Sequence, residues 1–407
     1  MTAQTFLIAP TRTTWLARPA ARSWTSPAAP PDVADFHAGL PGYAPTPLVE
    51  LPALAEELQV GRVFVKDESS RFGLPAFKIL GASWAIHRAL VDHHDLAGHD
   101  ALVDHHGLVD HHALVDRHRL VDHHGLGRLS FDGLRERIAD LPPVRLVTAT
   151  DGNHGRAVAR MAGLLGLDAE VFVPEGVHAA ARAAIKAEGA TVVEVAGPYD
   201  EAVREAAASA DEPAALLIQD TAWPGYEQVP QWVVEGYATL FAEVDAQLDA
   251  AGAGPAGLVA VPVGVGSLAQ AAVAHYRSRT GGPTLLSVEP ETAASVLASL
   301  GLGNLTTIET GSTIMAGLNC ATPSSLAWPY LEGGLDAAVA VTDAAASQAA
   351  RDLAELGVPA GPCGAAALAG VRAALTHERR PELAPGHAGT IVLLSTEGSA
   401  ANPAVAG

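Results

Sequence analysis

Between Arg145 and Val195 the chain alternates between two hydrophobic periods, and this constrains its fold more than any other feature. Arg145–Ala149, Ala169–Val173 and Thr191–Val195 are short apolar runs of strand type, separated by helical patterns at Gly155–Leu165 and Ala179–Glu188. Such βαβαβ order predicts parallel strands joined by crossover helices. The alternation continues with a helix expected at Glu201–Ala208, a strand at Ala215–Ile218 and a long helix at Gln231–Leu248. Strands at Leu258–Val263 and Thr284–Val288 flank a helix Ser267–Arg279. A strand at Ala338–Val341, helices at Ala344–Leu356 and Gly364–Leu375, and a last strand at Thr390–Leu394 follow. Upstream, Leu51–Leu58 reads as helix, Arg62–Lys66 as strand and Ala85–Leu90 as helix. The pattern fills both halves of a 407-residue chain. The expectation is an α/β protein of two domains, each an open, mostly parallel twisted sheet flanked by helices, with a cleft between them.

Composition narrows the partners. The chain is 49% hydrophobic and 17% charged, enough apolar material for such cores. A formal charge of -20 predicts no nucleic-acid partner. Cys320 and Cys363 are its only cysteines, so no disulfide framework is possible and a reducing, cytoplasmic setting is expected. No apolar run reaches spanning length, so no membrane partner is expected, and Met1–Ala34 lacks the continuous apolar segment of a signal peptide. Residues 1–42, rich in Pro and Ala, read as an irregular lead-in, followed by a proline-stiffened extended stretch at Tyr43–Leu48.

Residues 90–125 repeat. Leu-Val-Asp-His-His or a near copy recurs every six residues from Leu102 to His124, with an earlier copy at Leu90–His94. Six residues advance a helix by about 240°, which scatters the Leu-Val pairs, and on a strand Leu, Asp and His share a face. The stretch therefore reads as a low-complexity, poorly ordered insertion without an apolar face. Its ten histidines between His93 and His124 give a second functional possibility, a non-catalytic metal-binding protein, since imidazole suits zinc or nickel.

Four motifs carry chemistry. Lys78 stands between Phe77 and Ile79 at a predicted helix start, where apolar neighbours and the helix N-terminus disfavour an ammonium. A neutral lysine attacks aldehydes and abstracts protons. Thr150-Asp151-Gly152-Asn153-His154-Gly155 joins a strand to a helix: its glycines admit a ligand, Asn153 offers an amide donor and Asp151 an acid. Pro262-Val263-Gly264-Val265-Gly266-Ser267-Leu268 also opens a helix, and its backbone N–H groups suit one phosphate. It lacks the third glycine of a dinucleotide fingerprint and the lysine of a P-loop. Leu394-Ser395-Thr396-Glu397-Gly398 ends a strand with two hydroxyls. Taken singly, each has an ordinary reading as a surface lysine, a capped turn or a strand end. Taken together, an aldehyde-reactive lysine, an amide for a ring oxygen, a phosphate loop and a hydroxyl for a ring nitrogen describe a pyridoxal phosphate site.

On these motifs the chain resembles the tryptophan-synthase-β-like (fold type II) pyridoxal phosphate enzymes, and within them the diaminopropionate ammonia-lyase family. Tyr43–Leu48, Lys66–Gly73 running into Ala76-Phe77-Lys78, Ala149–Arg156, Gln219–Trp223 with Gly225-Tyr226, Gly264–Ser267, Met315–Cys320 and Ser395–Gly398 carry the resemblance, which covers roughly residues 40–400 apart from the repeat. It implies a large cofactor-binding domain from 43–82 and 226–407, and a small α/β domain from 83–225 interrupted by the insertion at 90–125. The cofactor would lie in the interdomain cleft and the enzyme would be a homodimer. Lys78, beside Phe77, would carry the cofactor, Asn153 would bond the ring 3-hydroxyl, and Gly264, Val265, Gly266, Ser267 and Leu268 would hold the phosphate. Ser395 would face the ring nitrogen with Thr396 beside it, while Asp151 and Asp220 would sit at the substrate. The activity implied is α,β-elimination of 2,3-diaminopropionate, a small amino acid, to pyruvate and ammonia. Lys78 would be the base for an L isomer and Asp151 for a D isomer. A serine/threonine dehydratase of the same fold is the alternative, and the aspartate at 151, where dehydratases usually have serine, argues against it. Two departures stand out: the repeat, and Pro362-Cys363-Gly364-Ala365 where Ser-Gly-Ala is usual.

Overall fold

The computed structural model describes residues 14–103, 130–150, 152–212, 214–376, 378–383 and 389–401, with backbone only over 94–103 and at 382. Its strands are β1 Trp15–Ala17, β2 Leu48–Glu50, β3 Arg62–Asp67, β4 Arg145–Ala149, β5 Asp168–Pro174 and β6 Thr191–Val195. They continue with β7 Ala215–Leu217, β8 Leu258–Pro262, β9 Thr284–Pro290, β10 Ala337–Val341 and β11 Thr390–Ser395. Two sheets result, one ordered β1-β10-β9-β8-β11-β3-β2 and one ordered β6-β5-β4-β7. The second is parallel throughout. In the first only the edges run antiparallel, β1 on β10 and β2 on β3. The α/β architecture expected from the alternation is the one observed. β8, β9 and β10 are buried at every position, as strands covered on both faces must be.

One apolar core runs between the sheets, joining Leu146 and Val171 to Val259 and Leu394, and smaller clusters fill the far face of each sheet. The helix Ile79–Val103 lies in this core, with Ile79, Leu80, Trp84, Ile86 and Leu90 nearly devoid of solvent contact. It crosses the helix Gln228–Gly236 at a pair of glycines. A Cβ on Gly236 would lie 2.4 Å from Leu80 O, and one on Gly81 would lie 2.6 Å from the Tyr237 ring. Only paired glycines let two helix backbones approach this closely. The crossing fixes the helix start, and Lys78 is the residue before it.

A buried charged knot anchors the chain just upstream. Lys66 Nζ donates to Glu243 Oε2 at 2.6 Å and to Thr46 O at 2.8 Å. Arg71 bridges Glu68 and Glu243 with contacts of 2.6–2.8 Å. Tyr43 and Thr46 reach the same carboxylates, which ties the extended stretch Tyr43–Leu48 to β3. The turn that follows places Phe72 at φ +53°, a left-handed conformation uncommon for a bulky residue.

Local readings are corrected at three places. The lead-in is not irregular where it is described: β1 adds to the edge of the larger sheet, a 3₁₀ turn spans Pro19–Ser23 and a helix spans Val33–Ala38. The start of the repeat is helical, because the helix of Lys78 continues to Val103 and buries Leu90 and Val91. From residue 104 onward the repeat lies outside the described residues. The long helix expected at Gln231–Leu248 is two helices, Gln228–Gly236 and Ala238–Ala250, divided at Tyr237 beside the glycine crossing.

Candidate active site

Three βα or strand-end loops converge at the C-terminal ends of β4, β8 and β11, the edge where open parallel sheets bind ligands. They line a cleft of about 540 Å³ together with Phe77, Lys78 and Asp220.

Phe77 packs its ring 4.8 Å from that of Tyr237, and its N–H donates to Thr396 O at 3.3 Å. Lys78 is thereby held at the cleft wall. Its apolar flanks are buried as expected, but its amine is not left in an apolar setting: Nζ donates to Asp220 Oδ2 at 2.6 Å, with the Lys78 side chain 32% exposed. Asp220 follows β7 on a segment pinned by two polar side chains. Gln219 Oε1 accepts from Ala149 N and Thr148 Oγ1 at 2.9 and 3.0 Å. The Tyr226 hydroxyl accepts from Gln219 N at 2.9 Å and donates to Leu217 O at 2.7 Å. Burial alone would raise the Asp220 carboxyl, but the charges of His154 and Lys78 outweigh it and hold the group well below the usual carboxylate range. His154 Nδ1 is 3.8 Å from Asp220 Oδ2, and its Nε2–H donates to Ile218 O at 2.8 Å.

Asn153 is the first residue of the helix Asn153–Leu165. Gly155 lets that helix lie on the sheet, since a Cβ there would meet the Thr150 methyl at 2.3 Å. Asn153 Nδ2 donates to Glu397 Oε2 at 3.0 Å. Asp151 lies outside the described residues.

Gly264, Val265, Gly266, Ser267 and Leu268 line the opposite end of the cleft. Gly266, at φ +101°, precedes the helix Ser267–Tyr276, whose first N–H groups have no intrahelical acceptor. A Cβ on Gly264 would lie 2.9 Å from Gly317 O, so only glycine passes there. Ser395 closes β11 fully buried, and its Oγ has no hydrogen-bond partner among the described residues. Thr396 lines the cleft beside it.

These residues fit pyridoxal phosphate. The helix start suits its dianionic phosphate. Lys78 supplies an amine, and the buried, unpartnered Ser395 hydroxyl supplies the polar contact that a ring nitrogen would satisfy. Among the described residues no group of three His, Cys, Asp or Glu is disposed to hold a metal ion, and no helix is long and apolar enough to cross a membrane. The motif reading passed over Glu397 and His154, although both stand inside the quoted motifs.

Comparison with known proteins defines the class. Residues 128–397 match the family described as pyridoxal-phosphate dependent enzymes, and the chain belongs to that family. A diaminopropionate ammonia-lyase of Salmonella typhimurium is 33% identical over 79% of this chain and 74% of its own length. The crystal structure of diaminopropionate ammonia lyase from Escherichia coli in complex with an aminoacrylate-PLP azomethine reaction intermediate superposes with TM-score 0.77 at 29% identity, covering 96% of this chain and 95% of that one. An L-threonine ammonia-lyase of Geobacter sulfurreducens is more distant, 28% identical over 49% of this chain and 46% of its own length.

Proposed function

We propose that this chain is a pyridoxal phosphate-dependent ammonia-lyase that converts 2,3-diaminopropionate to pyruvate and ammonia. The observation that carries the reading is the ionised Asp220 carboxylate beside Lys78 in the cleft. A substrate with a β-ammonium brings a second cation, and a largely buried anion complements it more strongly than it would a serine hydroxyl. The family match and the lyase relatives support the same choice.

When bound, pyridoxal phosphate withdraws electrons from the substrate Cα and makes its proton acidic. The chain does the rest. Gly264–Leu268 would hold the phosphate, Asn153 would donate to the ring 3-oxygen, and Ser395 would face the ring nitrogen. Lys78 Nζ would take the Cα proton of an L isomer. Asp220 holds the leaving β-ammonium in its protonated, departing form, and His154 and Gln219 keep Asp220 in place. Asp151 serves the D isomer as base. The large domain comprises 43–82 and 226–407 and the small one 83–225, with the cofactor between them. The enzyme works as a cytoplasmic homodimer.

The test is steady-state release of pyruvate or 2-oxobutyrate from D- and L-2,3-diaminopropionate, L-serine and L-threonine. Diaminopropionate is expected to be the preferred substrate, and Asp151→Asn to slow the D isomer about a hundredfold while sparing the L isomer. Faster turnover of serine or threonine would replace this reading with that of a dehydratase.

A further inference from the structure

Glu397 has no part in the reaction above, yet it lines the cleft. The residue is 5% exposed. Oε2 accepts from Asn153 Nδ2 at 3.0 Å, and Oε1 accepts from Cys363 N at 3.3 Å. Its backbone is fixed as tightly. Gly361 N donates to Glu397 O at 2.9 Å, and Ala76 pairs with Glu397 in an isolated β-bridge two residues before Lys78. Glycines make the space: a Cβ on Gly361 would lie 3.1 Å from Glu397 Oε1, and one on Gly364 would lie 2.7 Å from Glu397 O. The departure at Pro362–Ala365 thus opens the helix Pro362–Ala374 against this one side chain.

A carboxylate only accepts, so the Asn153 amide must turn its nitrogen, not its oxygen, towards Glu397. One of its two N–H groups is used there, and the second is left to donate elsewhere. With a neutral amide at 397, either end of Asn153 finds a partner and the orientation is no longer selected.

We propose that Glu397 is the positioning residue of Asn153: it selects the amide orientation that presents a donor to the 3-oxygen of pyridoxal phosphate, and so contributes to cofactor affinity through Asn153. The proposal rests on the functional reading only in that Asn153 meets the cofactor ring.

The experiment titrates apo-protein with pyridoxal phosphate and follows the visible absorption of the lysine-bound cofactor. Glu397→Gln is expected to weaken uptake about tenfold, the effect of losing one hydrogen bond to a charged group. Glu397→Asp, which keeps the charge but retracts it, should lose less and rescue part of the affinity. Asn153→Ala should weaken uptake as much as Glu397→Gln, and the double variant should be no worse than Asn153→Ala alone. Circular dichroism confirms that each variant is folded. Wild-type affinity in Glu397→Gln, or losses that multiply in the double variant, would overturn the proposal while leaving the functional reading intact. Failure of the wild-type protein to take up pyridoxal phosphate would overturn both.

Discussion

Lys78 Nζ and Asp220 Oδ2 meet at 2.6 Å although 142 residues separate them in the chain. Each arrives by a different route. Lys78 is set by the glycine crossing of two helices, and Asp220 by the hydrogen bonds of Gln219 and Tyr226 at the end of β7. The pair joins the two sheets across the cleft. The anion is already paired, so a cation entering there would exchange one partner for another rather than bury a bare charge.

Asp220→Asn should therefore separate cofactor uptake from catalysis. The neutral amide still pairs with Lys78, so the lysine-bound cofactor spectrum is expected to persist while kcat falls about a hundredfold. Lys78→Ala should abolish that spectrum and turnover together. The pH dependence has a definite sign. A carboxyl held below its ordinary value contributes stability above the unfolded value of about 4 and loses it as pH falls through the folded value. Asp220 is then ionised through the whole working range, and Asp220→Asn should lower the kcat/KM profile without moving its acid limb. A shifted acid limb would show that Asp220 titrates there.

Glu243 is expected to matter for stability rather than chemistry. It is 7% exposed and neutralises Lys66 and Arg71, both fully buried. Burial alone would raise its carboxyl, and the Arg71 and Lys66 contacts bring it below the ordinary value instead. Glu243→Leu leaves a buried ammonium without its anion, and should cost about 3–5 kcal/mol in urea unfolding. A loss below about 1 kcal/mol would mean that Glu68 alone satisfies the knot.

Much of this architecture was legible because it is local. Period-two and period-3.6 patterns mark most strands and helices, and the glycine turns at Gly152, Gly264 and Gly266 sit directly after strands, so their place at the sheet edge follows from chain order. What escaped is set by tertiary contact. Trp15–Ala17 carries little strand pattern and pairs because β10 offers an open edge. The first copy of the repeat lacks a helical face of its own, yet it continues a helix nucleated in the core. The Asn153–Glu397 bond joins residues 244 apart, and Glu397 reads from sequence as the polar end of a strand. The carboxylate partner of Lys78 is likewise distant in sequence, so the neighbours of Lys78 in the chain show only its apolar flanks.

Acid sensitivity should trace to buried histidines. His87 is 1% exposed, neither ring nitrogen has a hydrogen-bond partner among the described residues, and Phe36 and Trp84 pack on its ring. Burial, with the Arg88 charge adding, lowers its pKa from 6.5 to about 4. The unfolded chain then binds a proton that the folded chain refuses, and stability falls from pH 6.5 down to about pH 4. The cost approaches about 1.4 kcal/mol per pH unit. His87→Phe should flatten the decline of Tm between neutral and mildly acid pH. His37, lowered to about 3 mainly by burial, would keep a residual slope. An unchanged slope in His87→Phe would place the sensitivity elsewhere.

Gly364→Ala tests how tightly the end of β11 is packed against the helix Pro362–Ala374. The added methyl would lie 2.7 Å from Glu397 O and 2.9 Å from Ser395 Oγ, so backbone must move to admit it. Overpacking of this kind costs about 1–3 kcal/mol. The displacement falls on the hydroxyl assigned to the ring nitrogen and on the residue that holds Asn153, so cofactor uptake should weaken along with stability. Gly301→Ala is the matched control. It also lies within a helix, Ser295–Leu302, but nothing stands within 4 Å of its added methyl. There alanine should gain up to about 1 kcal/mol from helix propensity and leave cofactor affinity unchanged. If both variants take up pyridoxal phosphate like the wild type, the strand end yields without disturbing the site, and Ser395 does not depend on the glycine beside it.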